Sequence, residues 1–478
     1  MDLTIFSGNP RVFDSPDVPA DPDVLAALGR QVMGADLAAP PVVLPDFHHK
    51  SKMELPSSVA VATVGTVRPT LTSASVNCGM ALIALDGGRP TQKAVETFYQ
   101  RIKDRYPYPP TKRLELSLNE VRRAAVEGAE FAAERWGVRA EELERIEEGG
   151  RLDLERWGGS ARLLKEMPSI AFQLARMRFG TVGPSNHFIE LQMVEEIYDE
   201  PAAALLGLRE GQLTLQYHGG GGVLTGEVGA LFGPRKHNPR NLRLAAAVQK
   251  PLFHLATART LSEMKRRYAL YFATQCPPLD LDSDEGRRLM LANAAAMNYG
   301  FAFRVATYAY LKAVAKDVFG GSEGRLVVDS PHNSMYEEPL PTEFGEGRTA
   351  VVHRHNSCRA YPAELMPEGS VFATTGQALL LPGTNRTSSY VALPGADVAD
   401  SLHSACHGAG TVISDFERKG LSTTHPQGHK TLRYRYSDAA PTEVAHLDDN
   451  GVNAAVAILT DNKLIRTVAR LRPFAVLN

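Results

Sequence analysis

Cysteine is scarce in this chain of 478 residues: Cys78, Cys276, Cys358 and Cys406 stand far apart, and no two form a CxxC pair. That spacing excludes a disulfide framework and a zinc ribbon, and it suits a reducing compartment. Long apolar runs are lacking too. No stretch of about 18 apolar residues occurs, so no membrane-spanning helix is expected. The opening MDLTIFSGNPRVFDSPD has no basic stretch followed by an apolar one, so no secretory signal is read and a cytoplasmic location is expected. An excess of one charge is missing as well. The 52 Lys and Arg against 54 Asp and Glu give a formal net charge of −2, so any nucleic-acid surface must be a local patch. There is no repeat of fixed period and no low-complexity linker. GxGxxG and GxxxxGKS/T patterns are absent, which removes support for the two common phosphate-loop routes to nucleotide binding.

What is present is the composition of a folded enzyme, 44% hydrophobic and 22% charged, with enough chain for a large core. Residues 1–90 read as short apolar runs broken by Pro and Gly, including a strand and turn over Ser58 to Val67. Residues 91–180 read as helical. Ser117 and Glu120 have capping-box spacing, and Gly137 sits where a helix would stop. This charged, amphipathic stretch, at about 91–175, is expected to be a peripheral helical insertion in one large domain spanning 1–478. Two more helical blocks follow, at 240–275 and 284–318. After 325 the segments LLLPG, SYVALPG, AAVAILT and VARLRPFAVL read as strands. Strands that bracket helices without regular βα alternation predict an α+β fold, with β-sheets packed against helices.

Several histidines sit beside Gly, Asn or Cys in loops instead of within periodic segments. Asn77-Cys78-Gly79, the stretch from Gly183 through Asn186 and His187 to Glu190, His218 with its four following glycines, and Asp329 to Asn333 around His332 are such clusters. One thiolate and three imidazoles would make a competent divalent-metal site, and by softness alone the ion would be zinc. A further cluster, Ser404 to Gly410, carries His407 followed by small residues, which suits exposure of a ring nitrogen to a phosphate or a tight turn. Leu381 to Tyr390 is polar and rich in Ser and Gly, as a base-holding loop or a hairpin turn would be. Arg354 and Arg359, and the run Arg235, Lys236, Arg240 and Arg243, are candidate phosphate clamps. Lys265-Arg266-Arg267 reads as a solvated helix face.

These segments resemble a known family. GTVGPSNHFIELQ is similar to the GTLGxGNHFxE motif of RtcB-type RNA ligases, and SACHGAG to that family's CHGAGR segment. VNCGMAL, DSPHN, HRHNSCRAYP, LLLPGTNRTSSYV and VARLRPFAVL resemble further family segments in the same order, from about residue 45 onward. The resemblance implies an enzyme that uses GTP and Mn²⁺ to join RNA 3′-phosphate or 2′,3′-cyclic phosphate ends to 5′-hydroxyl ends through a guanylated histidine. It implies Cys78, His187, His218 and His332 as metal ligands and His407 as the nucleophile. Asn186, His187, Glu190, His332, Asn333, Pro382, Gly383, Thr384, Asn385, Ser389, His407, Gly408, Ala409 and Gly410 would line the guanylate pocket. An activating protein is left open as a partner; a membrane is not expected, and a monomer is. The chain also departs from the family pattern. Ser75 stands at the place of an Asp that holds a second metal, Thr411 at an Arg, His355 at a Lys, and Asn478 where a Lys-Gly is expected. These departures leave two alternatives: a metal-dependent phosphohydrolase or cyclic phosphodiesterase, and a non-catalytic RNA-end-binding protein.

Overall fold

Asp284–Val318 forms one helix of 35 residues that is buried on nearly every side for its first seven turns. A helix apolar all round belongs in the interior of a large domain, and the run of Ala, Leu, Met and Phe here dictates that placement. Ser283 caps its start, its hydroxyl accepting from the Gly286 amide at 3.0 Å. The computed structural model describes residues 9–478 except 33, 35, 50–54, 72, 74, 109–114, 177, 178, 181, 184, 185, 233–239, 273–275 and 346. At 223, 227, 240–243, 245 and 246 only the backbone is described.

One face of the central helix carries a helical layer. Gln92–Arg105, Leu118–Glu127, Ala129–Trp136 and Gly159–Glu166 all pack against it. The expected capping box is present: the Ser117 hydroxyl accepts from the Glu120 amide, and the Glu120 carboxylate from the Ser117 amide. Gly137 takes the left-handed conformation, φ 68°, that ends a helix. The stretch from 92 to 175 is thus a layer bound to the buried helix through shared core residues such as Val121, Phe131 and Trp157.

The other face meets a nine-stranded sheet. Its main path runs Leu379–Leu381, Ser389–Pro394, Ile465–Leu477, Phe188–Ile197, Leu213–Gly219, Gly79–Leu85, Gly324–Pro331, with every neighbour antiparallel. Lys430–Tyr434 adds to Ile465–Leu477 in parallel, and Thr442–Ala445 pairs with Lys430–Tyr434. A five-stranded sheet of Arg11–Val12, Val42–Val43, Val59–Thr63, Thr349–His355 and Asn333–Pro339 stands beside it. A two-stranded ribbon, Ser357–Arg359 with Ser404–Cys406, lies close to both. The α+β architecture matches the expectation. The strand expected over Ser58 to Val67 is Val59–Thr63 and Thr66–Val67 around Gly65.

One segment differs. AAVAILT, read as a strand, lies inside the helix Asn450–Asp461. Its buried positions Val452, Ala455, Ile458 and Leu459 follow a helical period, while a run of Ala, Val and Ile satisfies both templates when read without its neighbours.

Candidate metal and nucleotide site

The site is made by strand ends. In the order Phe188–Ile197, Leu213–Gly219, Gly79–Leu85, Gly324–Pro331, antiparallel pairing brings the start of one strand beside the end of the next. Phe188 pairs with His218, Met80 with His218, and Gly79 with both Gly219 and Pro331. His187, immediately before one strand, His218 near the end of the second, Cys78 immediately before the third and His332 immediately after the fourth therefore meet at one edge. Residues far apart in sequence become neighbours because strands lie about 4.8 Å apart.

Side-chain geometry follows. The ligand atoms of Cys78, His218 and His332 all lie within 4.8 Å of one another, and all three residues are buried. Cys78 Sγ is 3.3 Å from His218 Nε2 and 3.6 Å from His187 Nε2. The His218 Nδ1–H donates to the Asn186 carbonyl at 2.7 Å, and the His187 Nδ1–H to the Val182 carbonyl at 3.0 Å. A carbonyl can only accept, so both Nδ1 atoms carry the proton and both Nε2 lone pairs point at the sulfur. That tautomer is the one that ligates metal through Nε2. The backbone locks the rest: the His332 amide donates to the Cys78 carbonyl at 2.9 Å, and Ser357 to the His332 carbonyl at 3.0 Å.

Asn333 ties the loops together. Its amide donates to the Ser75 carbonyl at 3.1 Å, its side-chain oxygen accepts from the Asn356 amide at 2.9 Å, and its own carbonyl accepts from the Asn77 amide. The loop after His218 must come close. A Cβ at Gly220 would sit 3.2 and 3.3 Å from the His187 ring and 3.4 Å from Ser75 Oγ, so a side chain there would press on a candidate ligand.

His407 follows the strand Ser404–Cys406 and packs face to face on His332, with ring centroids 3.7 Å apart and planes 10° apart. Its amide donates to the Asn356 carbonyl at 3.3 Å. The next residue lies against the second expected loop: a Cβ at Gly408 would come 3.2 Å from the Pro382 carbonyl. The 382–385 turn and the 407–410 segment thus form adjoining walls. The first is shaped by Thr387, whose hydroxyl accepts from the Thr384 amide, and by Ser389, whose hydroxyl accepts from the Gly383 amide. Asn385 is half-buried in that turn, and Ala409 is buried just ahead of the helix Gly410–Arg418.

Glu190 joins the wall through a polar ladder. Gln192 donates to Glu190 at 2.8 Å, to Gln216 at 3.0 Å and to Ser389 at 3.3 Å. Burial pushes the Glu190 carboxyl up to about 8. Gln192 and Gln216 were not expected in the site. Their signal was a polar residue at every second position of an otherwise apolar strand, FIELQ, which puts Glu190 and Gln192 on one face. Asn356 and His48 were also missed. His48 faces the Thr411 hydroxyl at 3.1 Å, and Asp46 accepts from the Thr411 amide at 2.7 Å, so that carboxylate caps the helix after His407.

The structure does not place all expected residues here. Arg354 and Arg359 are not phosphate clamps. Arg354 is fully buried against Glu338, and Arg359 pairs with Glu148 and lies over Tyr361. Guanidiniums already paired with carboxylates inside the fold would leave those carboxylates unpaired if they turned to a phosphate. Arg267 is not a solvated residue either, being buried among Glu263, Asp284 and Glu285. Arg235 and Lys236 lie outside the described residues, as do the side chains of Arg240 and Arg243. The other three cysteines are free and buried, and burial pushes the thiols of Cys276 and Cys358 up to about 12. They remain protonated. Among the described residues no helix is long and apolar enough to cross a membrane.

Fold and site together define a class: a mixed α+β protein with a thiol–imidazole cluster suited to one divalent ion and another imidazole stacked upon it. The sequence profile described as "tRNA-splicing ligase RtcB" matches residues 33–478, and the chain belongs to the RtcB family. It is similar to the tRNA-splicing ligase RtcB of Thermococcus kodakarensis, 26% identical over 91% of this chain and 86% of that one. The Pyrobaculum aerophilum ligase of the same name is 29% identical over 78% of this chain and 73% of its own length. The Pyrococcus furiosus relative is 27% identical over 84% of this chain, which spans only 39% of that longer protein.

Proposed function

We propose that this protein is an RNA ligase that joins a 3′-phosphate or 2′,3′-cyclic phosphate end to a 5′-hydroxyl end, in RNA repair or tRNA splicing, using GTP. The observation that carries the reading is His407, an imidazole stacked on the candidate ligand His332 and walled by the Pro382 turn. A nucleophile of this kind needs an exposed lone pair beside a centre that neutralises phosphate charge. Relatives named tRNA-splicing ligases support the substrate class.

The donor atoms of Cys78, His218 and His332 converge, His187 Nε2 approaches the same sulfur, and two tautomers are set for Nε2 ligation, which fits a divalent transition ion. The resemblance implies Mn²⁺. When bound, the ion supplies positive charge that neutralises phosphate oxygens and the leaving pyrophosphate. His407 attacks the α-phosphorus of GTP; an N–P bond forms as the P–O bond to pyrophosphate breaks. His407 then passes GMP to an oxygen of the RNA 3′-phosphate. The incoming 5′-hydroxyl attacks that activated phosphate, loses its proton to solvent, and GMP departs. Gly408, Ala409 and Gly410, with the Pro382–Asn385 turn, Asn186, Asn333 and Ser389, hold the guanylate in this reading. Glu190, whose carboxyl burial pushes up to about 8, faces its polar edge in this reading.

The experiment is incubation with α-³²P-labelled GTP and, in separate reactions, Mn²⁺ or Zn²⁺, followed by denaturation. Label is expected on the wild type and none on His407→Ala. The internal pairing of Arg354 and Arg359 favours a second reading, a metal-dependent phosphodiesterase with fewer phosphate contacts. RNA-end hydrolysis that survives His407→Ala but not Cys78→Ala would establish it.

A further inference from the structure

The donor set around Cys78 has an unusual feature among the described residues: it contains no carboxylate. The three residues whose ligand atoms cluster are one thiol and two imidazoles, and the neighbour that approaches the sulfur is a third imidazole. Three carboxyl groups of the described residues lie in the surrounding segments, and each has partners of its own; Asp329 pairs with the buried Arg304 at 2.7 Å. Asp46 Oδ1 accepts from the amides of Thr411 and Val412 at the start of the helix Gly410–Arg418. Glu190 is held by Gln192 within the polar ladder.

Ser75 is where an oxygen ligand could enter. Its carbonyl accepts from the Cys78 amide and from Asn333 Nδ2, both at 3.1 Å, which fixes its backbone beside the cluster. Its Oγ and His187 Nε2 border the same space next to Gly220. A hydroxyl there is a weak neutral donor. The full set therefore carries a single negative charge, on sulfur.

Sulfur and imidazole nitrogen select soft or borderline ions such as Zn²⁺ and Co²⁺, while Mn²⁺ favours carboxylate and water oxygen and lies at the weak end of the divalent series. The three clustered donors, with His187 Nε2 at 3.6 Å from the same sulfur, would offer S and N ligands in the number that a tetrahedral shell needs. We infer that the centre holds a single thiophilic divalent ion in preference to manganese, and that Ser75 is the residue that sets this selectivity. The inference rests on the metal-centre part of the functional reading and not on the nucleotide part.

The test is competitive loading. The full-length protein, stripped with a chelator, is dialysed against equal concentrations of Zn²⁺ and Mn²⁺, and retained metal is measured by mass spectrometry. About one zinc per chain with only trace manganese is expected. Ser75→Asp is expected to shift the retained ratio towards manganese, because it adds a hard anionic oxygen beside His187. The Co²⁺-loaded wild type is expected to show a sulfur-to-cobalt charge-transfer band, and Cys78→Ser to lose it. Manganese retained by the wild type, or no metal retained, would overturn the inference. An unchanged ratio in Ser75→Asp would overturn the role of Ser75. Zinc retention without GTP labelling would sink the ligase reading and leave this inference standing; GTP labelling with manganese retention would do the reverse.

Discussion

Among the described residues, two groups of acidic or metal-binding side chains are gathered tightly enough to hold an ion, and they differ in what surrounds them. The first is Cys78, His218 and His332; the second is Glu263, Asp284 and Glu285. In the second, each carboxylate meets a guanidinium. Arg267 takes Glu285 at 2.6 Å, Glu263 at 2.6 Å and Asp284 at 3.0 Å, while Arg288 takes Glu166 at 2.6 Å and Glu285 at 2.9 Å. His254 there receives a hydrogen bond from Arg288, and burial first, then Arg288, pushes its pKa well below the ordinary histidine range. That network is closed by its own counter-charges. In the strand-end cluster, His218 and the adjoining His187 turn their Nε2 lone pairs towards the Cys78 sulfur and spend Nδ1–H on backbone carbonyls. Proximity of ligand atoms is therefore a poor guide by itself. Carboxylates already matched by guanidiniums make a structural knot, whereas imidazoles whose Nε2 atoms face a thiol make a binding centre.

The comparison can be broken by substitution. Cys78→Ala should abolish both metal retention and GTP labelling while leaving the denaturation midpoint of the metal-free protein nearly unchanged, as a metal titration and a urea melt will show. Arg288→Met should do the opposite. It strands Glu166 and Glu285 in the interior and should cost about 3–5 kcal/mol in chemical denaturation, with metal content per folded molecule unaltered. Similar stability losses in both variants would erase the distinction. Asn333→Ala removes the strut between the Ser75 and Asn356 loops without touching a donor atom, and should weaken metal binding by about 10–100-fold.

A further effect concerns pH. Glu190 has a folded pKa raised to about 8, largely by burial, against an ordinary value near 4.5. Below the ordinary value both states are protonated and burial of the acid costs nothing from charge. As pH climbs towards 8 the unfolded state ionises first, so stability is lost through that window. Glu190→Gln should therefore gain stability relative to wild type as pH rises from about 5 to 8, and melts across that range will read it. A constant difference would mean that Glu190 is ionised in the folded protein.

Much of the architecture was legible locally. Ser117 with Glu120, Gly137 and the apolar run from 284 to 318 each declare a helix boundary or a buried helix by short-range rules. AAVAILT was not legible, because an apolar run fits strand and helix alike until its buried face is known. The chemical identity of the site could be read from His and Cys beside Gly, but its assembly could not. Convergence of Cys78, His187, His218 and His332 depends on antiparallel register between strands far apart in sequence, which no local pattern encodes. The resemblance to RtcB-type ligases supplied that grouping. It could not show that Arg354 would spend its charge on Glu338, since the partner is brought near only by pairing of Asn333–Pro339 with Thr349–His355.

The central claim is that four strand ends make one ion-binding centre, and anomalous X-ray diffraction from crystals of the metal-loaded protein tests it most directly. A peak bonded to Cys78 Sγ, to Nε2 of His187 and His218 and to the His332 ring, with His407 facing it, is the predicted result. An ion bound elsewhere, or one that leaves Cys78 outside its ligand shell, would contradict the account.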